Sequence, residues 1–568
     1  MSDPATHPIS RRDALVRMLA LSALVPLAGC TGTEAGEGQA SEGSDALAAQ
    51  KAASLAFGLV APAAIDPYRV VDASGEQVAH QLFDPLTRFD CETGTLTCLA
   101  AERYEASEDQ MTFTFALRDA TFHDGTPVRA SDFKRAWERL ASPGAAVSDA
   151  AAPVADRSYL LSLVEGYEAF RAGDAWGLSG VTCPDDRTLI VKLAEPYADF
   201  PFVAAALCLA PVPAAADDDP EGFARLPIGN GPFMLESPYE QGDEEISLVR
   251  YDGYALAAPS LERVTFLVFD RFSEVYRAFE AGDVAVSGCP IENVDANAAD
   301  WKSSDDERLE LNRGRHTVLA ASPVVSYLVC NTATEPFDSP AFRRALSMAI
   351  DRDGLVKSVF RDARMPADGI VAPMVPGYRP EAWPYAVYDA QAASDLLDAT
   401  CPRGADGERG VEISLVFGSG GGHENAMEAI ARDLEAVGVT CALEPVEFED
   451  LHARLADGNF QLARVDWTMD AMSMDNVLFP LFHSSCIGGS NYSRFADEQV
   501  DELIDEARSE RRAAERTSLL QQAEDIVARD CPVIPYLFGA RAHVGTRAIE
   551  RLPFDSFGYA HLDEAELV

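Results

Sequence analysis

VEISLVFGSGGGHENAMEAIARDLEAVGVTCALEPV, residues Val411 to Val446, carries two different periods in one stretch. Val411–Phe417 is a short apolar run of the kind that forms a buried strand, and Cys441–Val446 is a second one. Between them Glu424–Val437 keeps the helical spacing of an amphipathic helix. Strand, helix, strand is the unit of an open sheet with a helix on its face, so this stretch predicts a mixed α and β class.

The same alternation continues outward. Downstream, Phe460–Val465 is strand-like, and Asp497–Arg508 and Glu515–Arg529 read as helices. Upstream, Ser339–Ala349 opens with a Ser-Pro pair, a cap followed by proline at the first helical position. Leu55–Val60, Met111–Leu117, Leu189–Leu193 and Arg263–Asp270 read as strands, the last as nearly continuous and buried. A helix over Ser131–Leu140, capped by Ser131, puts Phe133, Ala136, Trp137 and Leu140 on one face. Strands and helices interleave along the whole chain, which is the pattern of α/β architecture.

A chain of 568 residues with 47% hydrophobic and 9% aromatic content can bury the cores of two or three domains. Asp and Glu total 92 against 46 Lys and Arg, a formal charge of -46. Nucleic acid and anionic lipid surfaces are excluded as electrostatic partners on that balance.

The first thirty residues read as an export signal. Arg11-Arg12 precede an apolar run, Met18–Leu27, too short to span a bilayer. It ends in Leu27-Ala28-Gly29-Cys30, which resembles a bacterial lipobox whose cysteine is acylated after cleavage. Residues 1–29 are then a signal peptide using the Sec or twin-arginine route, and 30–50 a flexible lipid-anchored linker built of small and acidic residues. The expected location is the outer face of the cytoplasmic membrane, held by lipid alone. With Cys30 lipidated, ten of the eleven cysteines remain in an oxidising compartment, where disulfides persist. Cys91–Cys98, around a turn with Gly94, and Cys401–Cys441 are the expected pairs, and buried free thiols are the alternative for the rest.

Catalytic signatures are missing. Gly418-Ser419-Gly420-Gly421-Gly422 is followed by no Lys-Ser or Lys-Thr, so it reads as a strand-to-helix turn instead of a phosphate loop. His423-Glu424 begins like a zinc-protease helix, but position 427 is Met. No cofactor, metal or enzymatic activity is expected.

Several blocks in order resemble the solute-binding proteins of bacterial peptide ABC importers, family 5. They are Ile65-Asp66-Pro67, HQLFDPLTRFD from His80, HDGTPV from His123 with Ser131-Asp132-Phe133, and GNGPF from Gly229. Asn331, Pro336-Phe337, FRRALSMAIDR from Phe342, FQLARVDWTMD from Phe460 and CPVIPY from Cys531 complete the set. The resemblance implies a two-lobe periplasmic-binding-protein-like fold with an extra domain inserted in the first lobe. Lobe I takes 51–78, 181–322 and 537–568, the inserted domain 79–180, and lobe II 323–536. The ligand lies in the interlobe cleft, and hinge motion closes the lobes over it.

The same resemblance implies the site. The backbone of Phe460–Asp470 would pair with a bound peptide as an added strand. Asp470 would hold the peptide's α-ammonium and Arg464 a terminal carboxylate, with Trp467, Thr468 and Met469 beside them. Phe448 would supply a second wall, Val71, Asp72 and Ala73 the facing backbone contacts, and Tyr536 lies near the hinge. The implied partners are an oligopeptide and the importer's permease subunits, with the binding protein itself a monomer. Two departures leave other ligands open. Ala471-Met472-Ser473-Met474 stands where the family has an aromatic, an acid and proline, and Asp466 stands at a common glycine position. Nickel complexes, haem, sugars and other small solutes are carried by the same family, a peptide-signal sensor is a further reading, and a secreted hydrolase is the alternative from another class.

Overall fold

The computed structural model describes residues 53–90, 93–143, 157–293, 309–405, 407–419 and 422–568. The signal peptide, Cys30, the linker and Cys91 lie outside the described residues.

Val411–Val446 forms the unit its periods predict. Val411–Gly418 and Val439–Val446 run parallel with Ile413 opposite Cys441, and helix Glu424–Ala436 connects them. The helix buries Ala426, Met427, Ile430, Ala431 and Leu434, the three-and-four spacing that lines one face. On the other side of Val411–Gly418 lies Leu462–Thr468, which pairs antiparallel with the long strand Thr317–Cys330. Thr317–Cys330 in turn pairs antiparallel with Val533–Gly545.

From there the sheet continues without a break through Val286–Gly288, Ser54–Val60, Arg263–Phe269, Glu245–Arg250 and Phe233–Leu235. The two long strands join two hydrophobic cores. One gathers residues between Leu55 and Val318 together with Ile549 to Ala565, and Ala471; the other gathers residues between Val325 and Phe538, and Phe89. The fold is therefore two-lobed, with each lobe a mixed α/β layer structure around its own core. The pairing of the long strands shifts register between Ala321 and Val325 and again between Ser326 and Tyr327, where one lobe gives way to the other.

A separate four-stranded antiparallel sheet has the order Ala101–Ala106, Thr112–Leu117, Thr188–Lys192, Val181–Asp185. Two of its four strands, Val181–Asp185 and Thr188–Lys192, lie beyond residue 180. Helix Ala130–Ala141 packs with it, and Trp137 donates its indole N–H to the carbonyl of Leu209 at 2.9 Å while its ring meets Phe200 edge-on.

Three local expectations need correction. Ser131 does not cap its helix: the helix begins at Ala130, and the N–H of Arg129 is accepted by the Asp132 carboxylate at 2.8 Å. Arg263–Phe269 is not buried throughout. Arg263, Thr265 and Leu267 are only half-buried while Val264, Phe266 and Phe269 face the core. The Cys401–Cys441 bridge is absent and both are free thiols, as is Cys98. Cys441 is buried in the lobe II core with Cys401, the residue closing helix Ala390–Thr400, packed against that core. Both act there as small apolar side chains, and burial pushes the Cys441 thiol up to about 12. Among the described residues, no helix is long and apolar enough to cross a membrane.

Candidate functional site

Leu462–Thr468 positions the first part of the site. It pairs along its length with Val324–Cys330, but it meets Val411–Gly418 only at Leu462 and Ala463. From Arg464 onward its second edge has no strand partner among the described residues, so a row of backbone donors and acceptors is left for something else. Asp470 follows two residues after the strand's end, half-buried in the wall of a cavity of about 270 Å³. Thr468 and Met472 line the same cavity from lobe II, and Glu76, His80, Arg157 and Arg541 line it from other parts of the chain.

The charges in this cavity are already in contact. The Tyr159 hydroxyl donates to Asp470 Oδ2, and Arg157 Nη1 donates to Glu76 Oε1 at 2.5 Å. Burial pushes the Asp470 carboxyl above the usual aspartate range; the Tyr159 hydrogen bond and the Arg157 charge oppose that rise. Burial also lowers His80 and raises Cys208, the latter to about 12. Tyr159 and Arg157 therefore belong to the site, although neither stands in a periodic or motif-bearing stretch of sequence.

Several of the residues expected at the site do not line this cavity. Arg464 donates through Nη2 to both Asp466 oxygens at 2.5 Å and through Nε to the Tyr536 hydroxyl at 3.2 Å; its Nη1 lies 3.0 Å from His423 Nε2. Its charge is thus balanced inside the protein. Asp466, at the position where glycine is common, is what balances it, and it also accepts from Ser326 at 2.6 Å. Tyr536 is buried at 2% exposure in the long strand that crosses between lobes. Met469 is fully buried in the lobe II core, with its N–H donating to Pro323 at 2.8 Å. Trp467 packs half-buried against that core and donates its indole N–H to the Asn476 carbonyl at 2.8 Å. Phe448 is 70% exposed; as the first residue of helix Phe448–Asp457 it lays its ring against His452 one turn on, with centroids 4.4 Å apart.

Asp72 and Ala73 line a second, larger cavity of about 590 Å³; Val71 does not. Asp72 caps helix Ala73–Leu82, and its carboxylate accepts from the N–H groups of Gly75 and Ala63, both at 2.8 Å. Arg541 and Tyr559 line both cavities and form the partition between them. No cluster of three or more metal-ligating side chains occurs among the described residues.

The chain is similar to known proteins over most of its length. The Bacillus subtilis dipeptide-binding protein DppE is 26% identical over 525 residues, covering 89% of this chain and 90% of its own length. Heme-binding protein A of Haemophilus influenzae is 26% identical over 491 residues, covering 84% and 85%. Among solved structures, the unliganded open form of the periplasmic murein tripeptide binding protein MppA superposes with a TM-score of 0.76 at 24% identity, over 91% of this chain and 97% of that one. HbpA2 from Haemophilus parasuis gives 0.75 at 23%, over 91% and 100%. Residues 95–489, more than half of the chain, match the profile of the middle region of the family, and with that match the chain belongs to the bacterial extracellular solute-binding proteins, family 5.

Proposed function

We propose that the protein is the peptide-capturing component of an ABC importer, without enzymatic activity of its own, held by an acylated Cys30 at the outer face of the cytoplasmic membrane and delivering its ligand to permease subunits as a monomer. Lobe I comprises 51–78, 181–322 and 537–568, lobe II 323–536, with the segment 79–180 inserted. The observation that carries the reading is the unpartnered edge of Leu462–Thr468 leading to Asp470 in a cavity wall. A peptide added to that edge bonds through its backbone without regard to sequence, and its α-ammonium arrives at the carboxylate. In this reading the Tyr159 hydroxyl keeps the ammonium's place until a peptide displaces it.

The test is calorimetric titration of one peptide with a free amino terminus and of its N-acetyl form. Removing one partner of a buried charge pair costs about 2–5 kcal/mol, so Asp470→Asn weakens the free-amino peptide by roughly 30-fold to several thousand-fold. The acetylated peptide binds wild type and Asp470→Asn equally weakly. Tyr159→Phe, which frees Asp470 of its internal donor, tightens the free-amino peptide and leaves the acetylated one unchanged. If both peptides bind wild type equally well, Asp470 is not an ammonium anchor.

A further inference from the structure

Asp199 and Ser473 stand 274 residues apart and meet where the two hydrophobic cores face each other. Asp199 is 4% exposed and immediately precedes the short helix Phe200–Val203, whose Phe200 and Val203 lie in the first core. An aspartate at that place commonly accepts from the N–H groups of its own helix, but this one accepts from none of them. Its Oδ2 accepts from the Ser473 hydroxyl instead, and its Oδ1 lies 2.9 Å from Arg516 Nε. Arg516 belongs to helix Ala513–Asp530, which buries Leu520 and Ala523 in the second core.

A second contact runs beside the first. The N–H of Ala198 donates to the Arg508 carbonyl at 2.9 Å, and the Arg508 guanidinium lies over the rings of Tyr197 and Phe479, 4.9 and 3.9 Å from their centroids. Arg508 Nε is 3.5 Å from Asp475 Oδ1. Two carboxylates and two guanidinium groups thus balance each other away from water, and they leave no cavity of a ligand's size between them.

This seam reaches the ligand site through the loop between strand Leu462–Thr468 and helix Asp475–Phe482, which carries both Asp470 and Ser473. Met469, Met472 and Met474 of that loop are buried in the second core, yet Ala471 is buried in the first. The Ser473 hydroxyl accepts from the Asp475 N–H at 3.1 Å while it donates to Asp199, so it is fixed from both sides. Beyond Asp199 the chain continues into Phe202, Leu207 and Cys208, which line the 270 Å³ cavity together with Asp470 and Met472; Asp199 itself does not line it. One carboxylate therefore fixes two stretches of the cavity wall to each other.

We infer that Asp199 is a positioning residue for the ligand site: through Ser473 it clasps the Asp470 loop to the facing wall without touching the ligand. A ligand that had to order this loop on arrival would bind more weakly by the cost of that ordering. The inference rests on the reading that Asp470 meets the ligand.

Calorimetric titration of Ala-Phe, free at its amino terminus, tests it in wild type, Asp199→Ala, Ser473→Ala, Asp470→Asn and the double variant Ser473→Ala/Asp470→Asn, with melting curves without ligand for each. Asp199→Ala and Ser473→Ala each weaken binding roughly tenfold. In the Asp470→Asn background Ser473→Ala weakens it by less than about twofold, because the group it positions is already gone. A purely structural role would weaken both backgrounds equally. Exposed Arg225→Gln leaves binding unchanged. Should Asp199→Ala melt early, because Arg516 has lost its charge partner, Ser473→Ala carries the test. Equal weakening in both backgrounds, or wild-type affinity in either folded single variant at the clasp, overturns the inference while leaving Asp470 as a ligand group. If Ala-Phe does not bind wild type, or binds wild type and Asp470→Asn alike, the ammonium reading falls and hydrogen exchange without ligand decides the clasp. Amides of residues 469–472 then exchange at least about tenfold faster in Ser473→Ala, with Glu424–Ala436 unchanged; exchange at the wild-type rate overturns the clasp as well.

Discussion

Arg352 is 4% exposed and has no carboxylate partner among the described residues, and its substitution gives a direct measure of what ties the lobe II helices to the crossing strand. Its Nε donates to Pro535 at 2.8 Å, and its Nη1 to the carbonyls of Ser347 and Ala386 at 2.9 Å and of Ile350 at 3.4 Å; Nη2 reaches the Ser347 hydroxyl at 3.0 Å. Ser347 belongs to the last turn of helix Pro340–Ala349, whose final carbonyls have no partner within the helix. The guanidinium therefore caps a helix end, and it pins that end to Pro535 beside the lobe junction. Burial lowers its pKa only to about 10, so the group stays charged at neutral pH.

Arg352→Met keeps the length and the apolar stem and removes every donor. Three well-placed buried carbonyls lose their partner at about 1–3 kcal/mol each, and part of that is returned because a charge is no longer buried. The net loss is about 3 kcal/mol. At roughly 2–4 °C per kcal/mol for a lobe of this size, the melting transition falls by roughly 6–12 °C. Arg352→Lys, whose donors leave from a single point, falls between the two. Differential scanning calorimetry of the three proteins without ligand is the assay. A melting temperature for Arg352→Met within about 2 °C of wild type would refute the reasoning, since the carbonyls would then be satisfied without the arginine.

Two further predictions concern buried groups. Asp84 is held up to about 7 by burial, with its carboxylate accepting from Tyr254 at 2.8 Å. Between about pH 4 and pH 7 the folded protein keeps a proton that the unfolded chain releases, so this residue's contribution to stability falls as pH rises, by at most about 4 kcal/mol. Urea midpoints at pH 4.5 and 7.5 should fall less steeply in Asp84→Asn than in wild type; equal slopes would show that Asp84 ionises normally. Glu524 and Asp475, raised by burial to about 7 and about 6, contribute with the same sign in both proteins. For the cysteines, maleimide labelling of denatured, unreduced protein followed by mass spectrometry should modify Cys98, Cys183, Cys208, Cys289, Cys330, Cys401, Cys441, Cys486 and Cys531; a peptide linking Cys401 to Cys441 would contradict the free thiols.

The parts of the fold that were legible in the sequence are those in which one element's own period states its burial. Glu424–Ala436 and Leu462–Thr468 lie within a few residues of their expected places because helix and strand spacing fix which face turns inward. Capping was less legible. Ser131 has the right chemistry, yet Asp132 one position on reaches the free N–H of Arg129 and starts the helix earlier. The motif points to Asp470, which lies in a cavity wall; it gives no sign that Arg464 pairs with Asp466 two residues away on the same strand, since only the folded geometry turns both side chains together. Tyr159 and Arg157 reach Asp470 and Glu76 from far along the chain, and no local pattern announces contacts of that range. Arg541, which lines both cavities, escaped for the same reason, since the residues around it come from many distant segments.

The strand Val286–Gly288 touches Ser54–Val60 only through the Phe57–Val286 pair, and on its other side it is closed by His543, Val544 and Gly545. Those three residues are made near the end of synthesis, long after Ser54–Val60 and after the whole core of lobe II. Seen as a process in time, lobe I is begun first and finished last. A ribosome that stops short of Val533 leaves Val286–Gly288 and Thr317–Cys330 with open edges, ready to pair with another copy of the same unfinished chain. Shortening this protein from its C-terminus therefore does not trim it; it removes the element shared by both lobes.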